Sequence, residues 1–117
     1  RMPEAVAEID PTGEPLDTEI VFDLLERALV RVVAWRLVER TAAVLRYHVP
    51  ISWATWGDEV DVSLDGSTVV VRSRSRAPFQ LVDWGKNRRN VETVRAAIAR
   101  LAPELRRAEP APRAFDR

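Results

Sequence analysis

The sequence predicts an α+β fold: a two-layer domain with a four-stranded antiparallel sheet and two helices packed on one face, in the order α-β-β-β-β-α. Three observations predict it. Two segments repeat apolar residues at helical spacing, Val21 to Val32 and Val91 to Leu105. Between them, four segments alternate apolar and polar residues, so each strand has one apolar side. Asp65-Gly66 then supplies a two-residue hairpin signal between the last two strands.

Residues 1–16 carry Pro3, Pro11, Gly13 and Pro15 with scattered acids and no sustained period, and read as an extended or disordered lead-in. Asp17 or Thr18 then N-caps the first helix, with Glu19 in its first turn, where negative charge is favourable. Val21, Leu24, Leu25, Ala28 and Val32 form its buried stripe, and the helix is expected to end near Val33. The first strand, Trp35 to Arg40, puts Trp35 and Leu37 on one side and Arg36, Val38 and Arg40 on the other. Leu45, Tyr47 and Val49 form the core set of the second, Val44 to Ile51. Val60, Val62 and Leu64 face in from the third, and Val69 and Val71 from the fourth, Thr68 to Arg76. With Asp65-Gly66 as the loop, Leu64 pairs with Ser67, Val62 with Val69 and Val60 with Val71, and Glu59 lies opposite Arg72.

Pro78 closes the fourth strand or leaves its end at a sheet edge. The following linker holds Phe79, Leu81, Val82 and Trp84, and is apolar enough to fold back across the domain. Asn90 is the expected N-cap of the second helix. Val91, Val94, Ile98, Leu101 and Leu105 give that helix its stripe, and Pro103 is expected to end it near Ala102 or kink it. One α+β domain thus spans residues 17–108, with a Pro/Ala-rich disordered tail over 109–117.

Composition narrows the functions. A 117-residue chain builds one modest core. Its formal charge is zero, so attraction to nucleic acid or an anionic membrane would have to come from a local patch. Lys86 is the one lysine among 18 basic side chains, an arginine bias that GC-rich coding explains as readily as function. With no cysteine there is no disulfide, thiolate metal site or Cys nucleophile. No apolar run approaches the roughly 20 residues needed to span a bilayer, and no signal-peptide core is visible. The expectation is a soluble domain, cytoplasmic by default. Arg1 before Met2 reads as a vector remnant or an excised fragment, which leaves an anchor outside the chain open.

Arg72-Ser73-Arg74-Ser75-Arg76, followed by Asp83-Trp84-Gly85-Lys86-Asn87, resembles a bacterial family of domains of unknown function. That family carries an R-S-x-S-R strand, then D-x-G-x-N and a closing helix. Trp56-Gly57-Asp58-Glu59-Val60 is similar to the acidic strand start that precedes them. The resemblance spans roughly residues 18–102 and departs at Asn90, where a basic residue is expected. It implies domain boundaries and no activity.

Two constellations are candidate sites. Arg72, Arg74 and Arg76 recur at strand period and project from one face, while Lys86, Arg88 and Arg89 crowd a helix start. Cations there oppose the helix dipole unless an anion lies between them, so the six together are a candidate anion or partner site. The competing structural reading pairs the strand arginines with acids on the neighbouring strand. Asp83, Trp84, Gly85, Asn87 and Asn90 read as a fold-closing turn with local side-chain bonds, and Trp84 as a plug over the core. Trp53 and Trp56 flank a loop and leave base stacking open.

His48 is the only histidine and has no metal-spaced or triad partner; Walker and Rossmann glycine patterns are absent. No metal, cofactor or catalytic residue is expected. The function expected is a non-enzymatic binding module that presents the arginine strand and helix-start loop to an anionic or protein partner. The alternatives are a small apolar-ligand binder with a cavity lined by Trp35, Tyr47 and Trp84, and a weak nucleic-acid binder.

Overall fold

Among the described residues the sheet has five strands, one more than the sequence pattern suggests, in the order β1-β5-β4-β3-β2 and antiparallel throughout. The computed structural model describes residues 4–31, 35–50, 57–75 and 85–108. Its elements are β1 (Glu4–Ile9), α1 (Thr18–Leu29), β2 (Arg36–Arg40), β3 (Leu45–Val49), β4 (Asp58–Asp65), β5 (Thr68–Ser75) and α2 (Lys86–Arg107). Both helices cover one face, and their apolar stripes close a single core with the inner strand residues.

The extra strand lies in the stretch read as a lead-in. Within it, Glu4 to Ile9 pairs with β5 from Glu4↔Arg74 to Ile9↔Val69. Its inward residues are Ala5, Ala7 and Ile9, and α2 packs across it. Two alanines give a weak apolar alternation, but small inward side chains let a helix lie close.

The hairpin between β4 and β5 turns on Gly66-Ser67 rather than Asp65-Gly66. Gly66 has φ 64°, the left-handed conformation that the first central residue of a tight hairpin loop requires. Register therefore shifts by two: Leu64 faces Val69, Val62 faces Val71 and Val60 faces Ser73. A two-residue shift preserves every side chain's face, so the expected core set survives the correction. Its consequence falls at the far end, where Asp58 meets Ser75.

A bulge at Val38 alters β2. Leu37 pairs with Tyr47, but Glu39 pairs with Arg46 and Arg40 with Leu45. The extra residue reverses parity, so Arg40 leaves the outer face expected for it and reaches α1. There it binds Asp23 at 2.8 Å and also Glu26. The Thr41 hydroxyl closes the following turn, accepting from the Ala43 and Val44 amides at 3.0 Å.

α1 is capped by Asp17, which accepts from the Glu19 amide at 2.9 Å. Its buried residues are Val21, Phe22, Leu25 and Leu29, so the stripe is rotated from the expected one: Leu24 and Ala28 are half-buried. The helix ends at Leu29, four residues short of expectation, ahead of Val30. α2 begins earlier than predicted. Gly85, at φ 78°, is its N-cap, and Asn90 lies a full turn inside. The helix also runs through Pro103 to Arg107. Pro103 and Ala99, whose carbonyl loses its partner, are both solvent-exposed, and Leu105 beyond them is buried.

Tyr47 stands on the inner face of β3 at 4% exposure, its ring tilted 53° against Trp35 with centroids 5.8 Å apart. Burial first, and the nearby Glu26 carboxylate second, push its phenol up to about 12, with Arg40 opposing. The raised value favours the neutral phenol in the folded chain. This contribution is complete below pH 10 and is lost as pH rises toward about 12. As Tyr47 is the only tyrosine, phenolate absorbance reports it alone. The expected titration has its midpoint well above that of a free phenol, or coincides with alkaline unfolding. A midpoint near 10 would mean that the ring is solvated.

Candidate functional site

Along β4 and β5 the inward row changes character. It is apolar from Val60 to Leu64 and from Val69 to Val71, then polar at Asp58, Ser73 and Ser75. The same period of two that sends Arg72 and Arg74 outward sends Ser73 and Ser75, each one residue further along, inward. α2 starts over this end, and its Asn87 and Asn90, three residues apart, share the face turned to the sheet. All five polar side chains are buried, Asn87 completely.

Their hydrogen bonds form one network. Ser73 Oγ donates to Asn87 Oδ1 at 2.8 Å, and Asn87 Nδ2 donates to Ser75 Oγ at 3.2 Å. Asn90 Nδ2 is shared between Asp58 Oδ2 at 2.8 Å and Ser73 Oγ at 3.1 Å. Lys86 Nζ sits 3.5 Å from Asp58 Oδ1. No buried side-chain nitrogen or oxygen among the described residues lacks a partner. The network therefore clamps β4, β5 and the first turns of α2 together. Ser73 gives its proton to an amide oxygen, which is no base, so this geometry does not activate it as a nucleophile. His48, the lone imidazole, is on the other face of the sheet, with Nδ1 3.2 Å from Arg36 Nη2.

The predicted site residues divide between the two sides of the sheet. Arg74 lies on the outer face and donates to Glu59 Oε1 from Nε at 3.2 Å and Nη2 at 2.8 Å. That bond raises its pKa further above the ordinary guanidinium value. Glu59 therefore faces Arg74, and Asp61 rather than Glu59 faces Arg72. Arg72 is exposed and makes no hydrogen bond or ion pair among the described residues. Lys86, by contrast, turns inward to Asp58, and Arg88 and Arg89 are exposed in the first turn of α2, with the sheet between them and Arg72. The structure does not bring Arg72 or Arg74 together with the helix-start cations. Arg76, Asp83, Trp84, Trp53 and Trp56 lie outside the described residues.

Sequence reasoning placed Asn87 and Asn90 in a turn motif; both are helical and bind across the core. It passed over Asp58, Ser73 and Ser75 as site residues. The signal was present: strand parity assigns all three to the inner face. Asn90 occupies the position where a basic residue was expected, beside a buried carboxylate, and Lys86, one turn earlier, supplies the cation.

The outer face carries charges in cross-strand rows. One runs Glu4, Arg74, Glu59, His48, Arg36; the next runs Val6, Arg72, Asp61, Arg46, Glu39. Arg46 donates to Asp61 at 2.7 Å and also binds Glu39, and the Asp61 bond chiefly raises its pKa. Among the described residues no group of carboxylates or histidines is arranged to hold a metal. No helix among them is long and apolar enough to cross a membrane.

A five-stranded α+β domain closed by a buried Asp/Ser/Asn clamp is thus the class of protein that these features define. The chain belongs to the family described as protein of unknown function (DUF1499), whose profile matches residues 4–98. No curated protein and no solved structure matches it.

Proposed function

We propose that this domain is a non-enzymatic interaction module that presents the outer face of its sheet, Arg72 and Arg74 included, to a protein partner. The observation that carries the reading is the alternation of charge between neighbouring strands, Glu4-Arg74-Glu59 in one row and Arg72-Asp61-Arg46-Glu39 in the next, on a face that no described element covers. A polyanion would meet Glu4, Glu59, Asp61 and Glu39 between the arginines, so the pattern opposes nucleic acid. A protein surface with the reciprocal pattern fits it, because complementary charges fix register and suppress wrong partners. Arg72, exposed and facing only Asp61 across the strand pair, is the side chain best placed to bind across such an interface.

Photo-crosslinking in the cells that make the protein tests this reading. A benzophenone amino acid at position 72 is expected to give one discrete protein adduct. The same residue at position 95, on the helix layer and bound to Glu92, is expected to give none of that species. No adduct from position 72, or the same adducts from both positions, would overturn it.

A further inference from the structure

We infer that the groove between α1 and α2, on the opposite side of the molecule from the sheet's outer face, binds an acidic amphipathic helix of a partner protein. The groove encloses about 440 Å³. Its floor is apolar, built from Leu24, Ala28 and Leu101. Arg27 and Arg31 stand on one wall and Arg100 on the other, all exposed. None of the three makes a hydrogen bond or ion pair among the described residues, whereas Arg40, Arg46, Arg74 and Arg95 are all engaged with carboxylates.

Charge and shape together select the occupant. α1 and α2 together carry eight basic side chains against five carboxylates in a chain of zero formal charge, so the helix layer has a cationic excess. Arg27 lies in the last turn of α1 and Arg31 just beyond its end, so both line the α1 side of the trough, where carboxylates on an incoming helix would meet them. Leu101 is only 9% exposed and the half-buried Leu24 and Ala28 flank it. A ridge of leucines reaches that recessed floor, and a flat bilayer surface does not. A second copy of this face would bring arginine against arginine. Glu104, the one carboxylate on the rim, disfavours an acid at its end of the trough and so sets the direction in which the helix lies.

The test uses the whole chain and a labelled synthetic peptide of about 14 residues, with leucines at helical spacing flanked by glutamates four apart. Fluorescence anisotropy measures its binding against a scrambled peptide of the same composition. The ordered peptide is expected to bind at least about tenfold more tightly than the scrambled one. Arg27→Ser, Arg31→Ser and Arg100→Ser combined should weaken it by more than about tenfold, with an unchanged urea midpoint showing the fold intact. Arg95→Ser, outside the groove, should leave binding unchanged. Equal binding of the two peptides, no binding of either, or equal loss in Arg95→Ser would overturn the inference. So would arginine-dependent binding to vesicles containing phosphatidylglycerol with no binding to the peptide, since that outcome assigns the surface to lipid.

Discussion

Replacing Asp58 with alanine is expected to lower the unfolding free energy by about 3–5 kcal/mol, the range for removing one partner of a buried ion pair. Asp58 is 1% exposed, and both of its oxygens are engaged, one by Asn90 and one by Lys86. Alanine leaves the Lys86 ammonium without its counter-charge and the Asn90 amide with Ser73 alone. Lys86 keeps 17% side-chain exposure and a flexible stem, so it can relax toward water. Asn90, packed against the sheet, cannot, and the cost of its unmade bond remains. The measurement is urea unfolding, with a lowered midpoint and an unchanged slope as the expected result. Asp58→Ala combined with Lys86→Met removes both charges and should recover part of the loss. If Asp58→Ala costs less than about 1 kcal/mol, the pair is behaving as a surface salt bridge and does not clamp the helix.

That clamp was hidden for a physical reason. A polar side chain in a strand looks the same in a sequence whether it faces water or a satisfied buried network. Arg72 and Arg74 drew attention as charges, and both lie on the outer face, Arg72 exposed and Arg74 paired with Glu59. Ser73 and Ser75 between them do the fold's polar work. Apolar periodicity was far more legible. Val91, Val94, Ile98, Leu101 and Leu105 are all buried along α2, as their spacing predicts, and Leu45, Tyr47, Val60, Val62, Val69 and Val71 all face the core. Where the pattern was weak the reading failed. Ala5 and Ala7 bury too little apolar surface to announce a strand, and pairing with β5 through the backbone decides its structure instead. The bulge at Val38 left no mark in residue type, yet it moved Arg40 from one face to the other. Hairpin register was open by two residues because both alternatives keep valines inside; a left-handed Gly66 at the first loop position settles it.

The second large effect is expected at Phe22, which the helical stripe drawn from the sequence left out. Phe22 is 1% exposed and shares the buried face of α1 with Val21, Leu25 and Leu29. Phe22→Ala is expected to cost about 3–5 kcal/mol, because the lost transfer energy of the ring is joined by that of the cavity it leaves. Phe22→Leu keeps most of the volume and should cost below about 1.5 kcal/mol if the surroundings repack. The Arg40 guanidinium lies 5.7 Å from the ring centroid while it bridges Asp23 and Glu26. Two explanations of how α1 is held to β2 therefore compete: burial of the ring, or the ion pairs around it. Those pairs are exposed to water and screened by salt, so the ring should dominate. Urea unfolding of Phe22→Ala and Arg40→Ala, each at low and high salt, separates the two. The ring variant is expected to be much the less stable, and the difference to persist at high salt. If Arg40→Ala proves the more damaging, and only at low salt, α1 is held by its charges and the core under it contributes little.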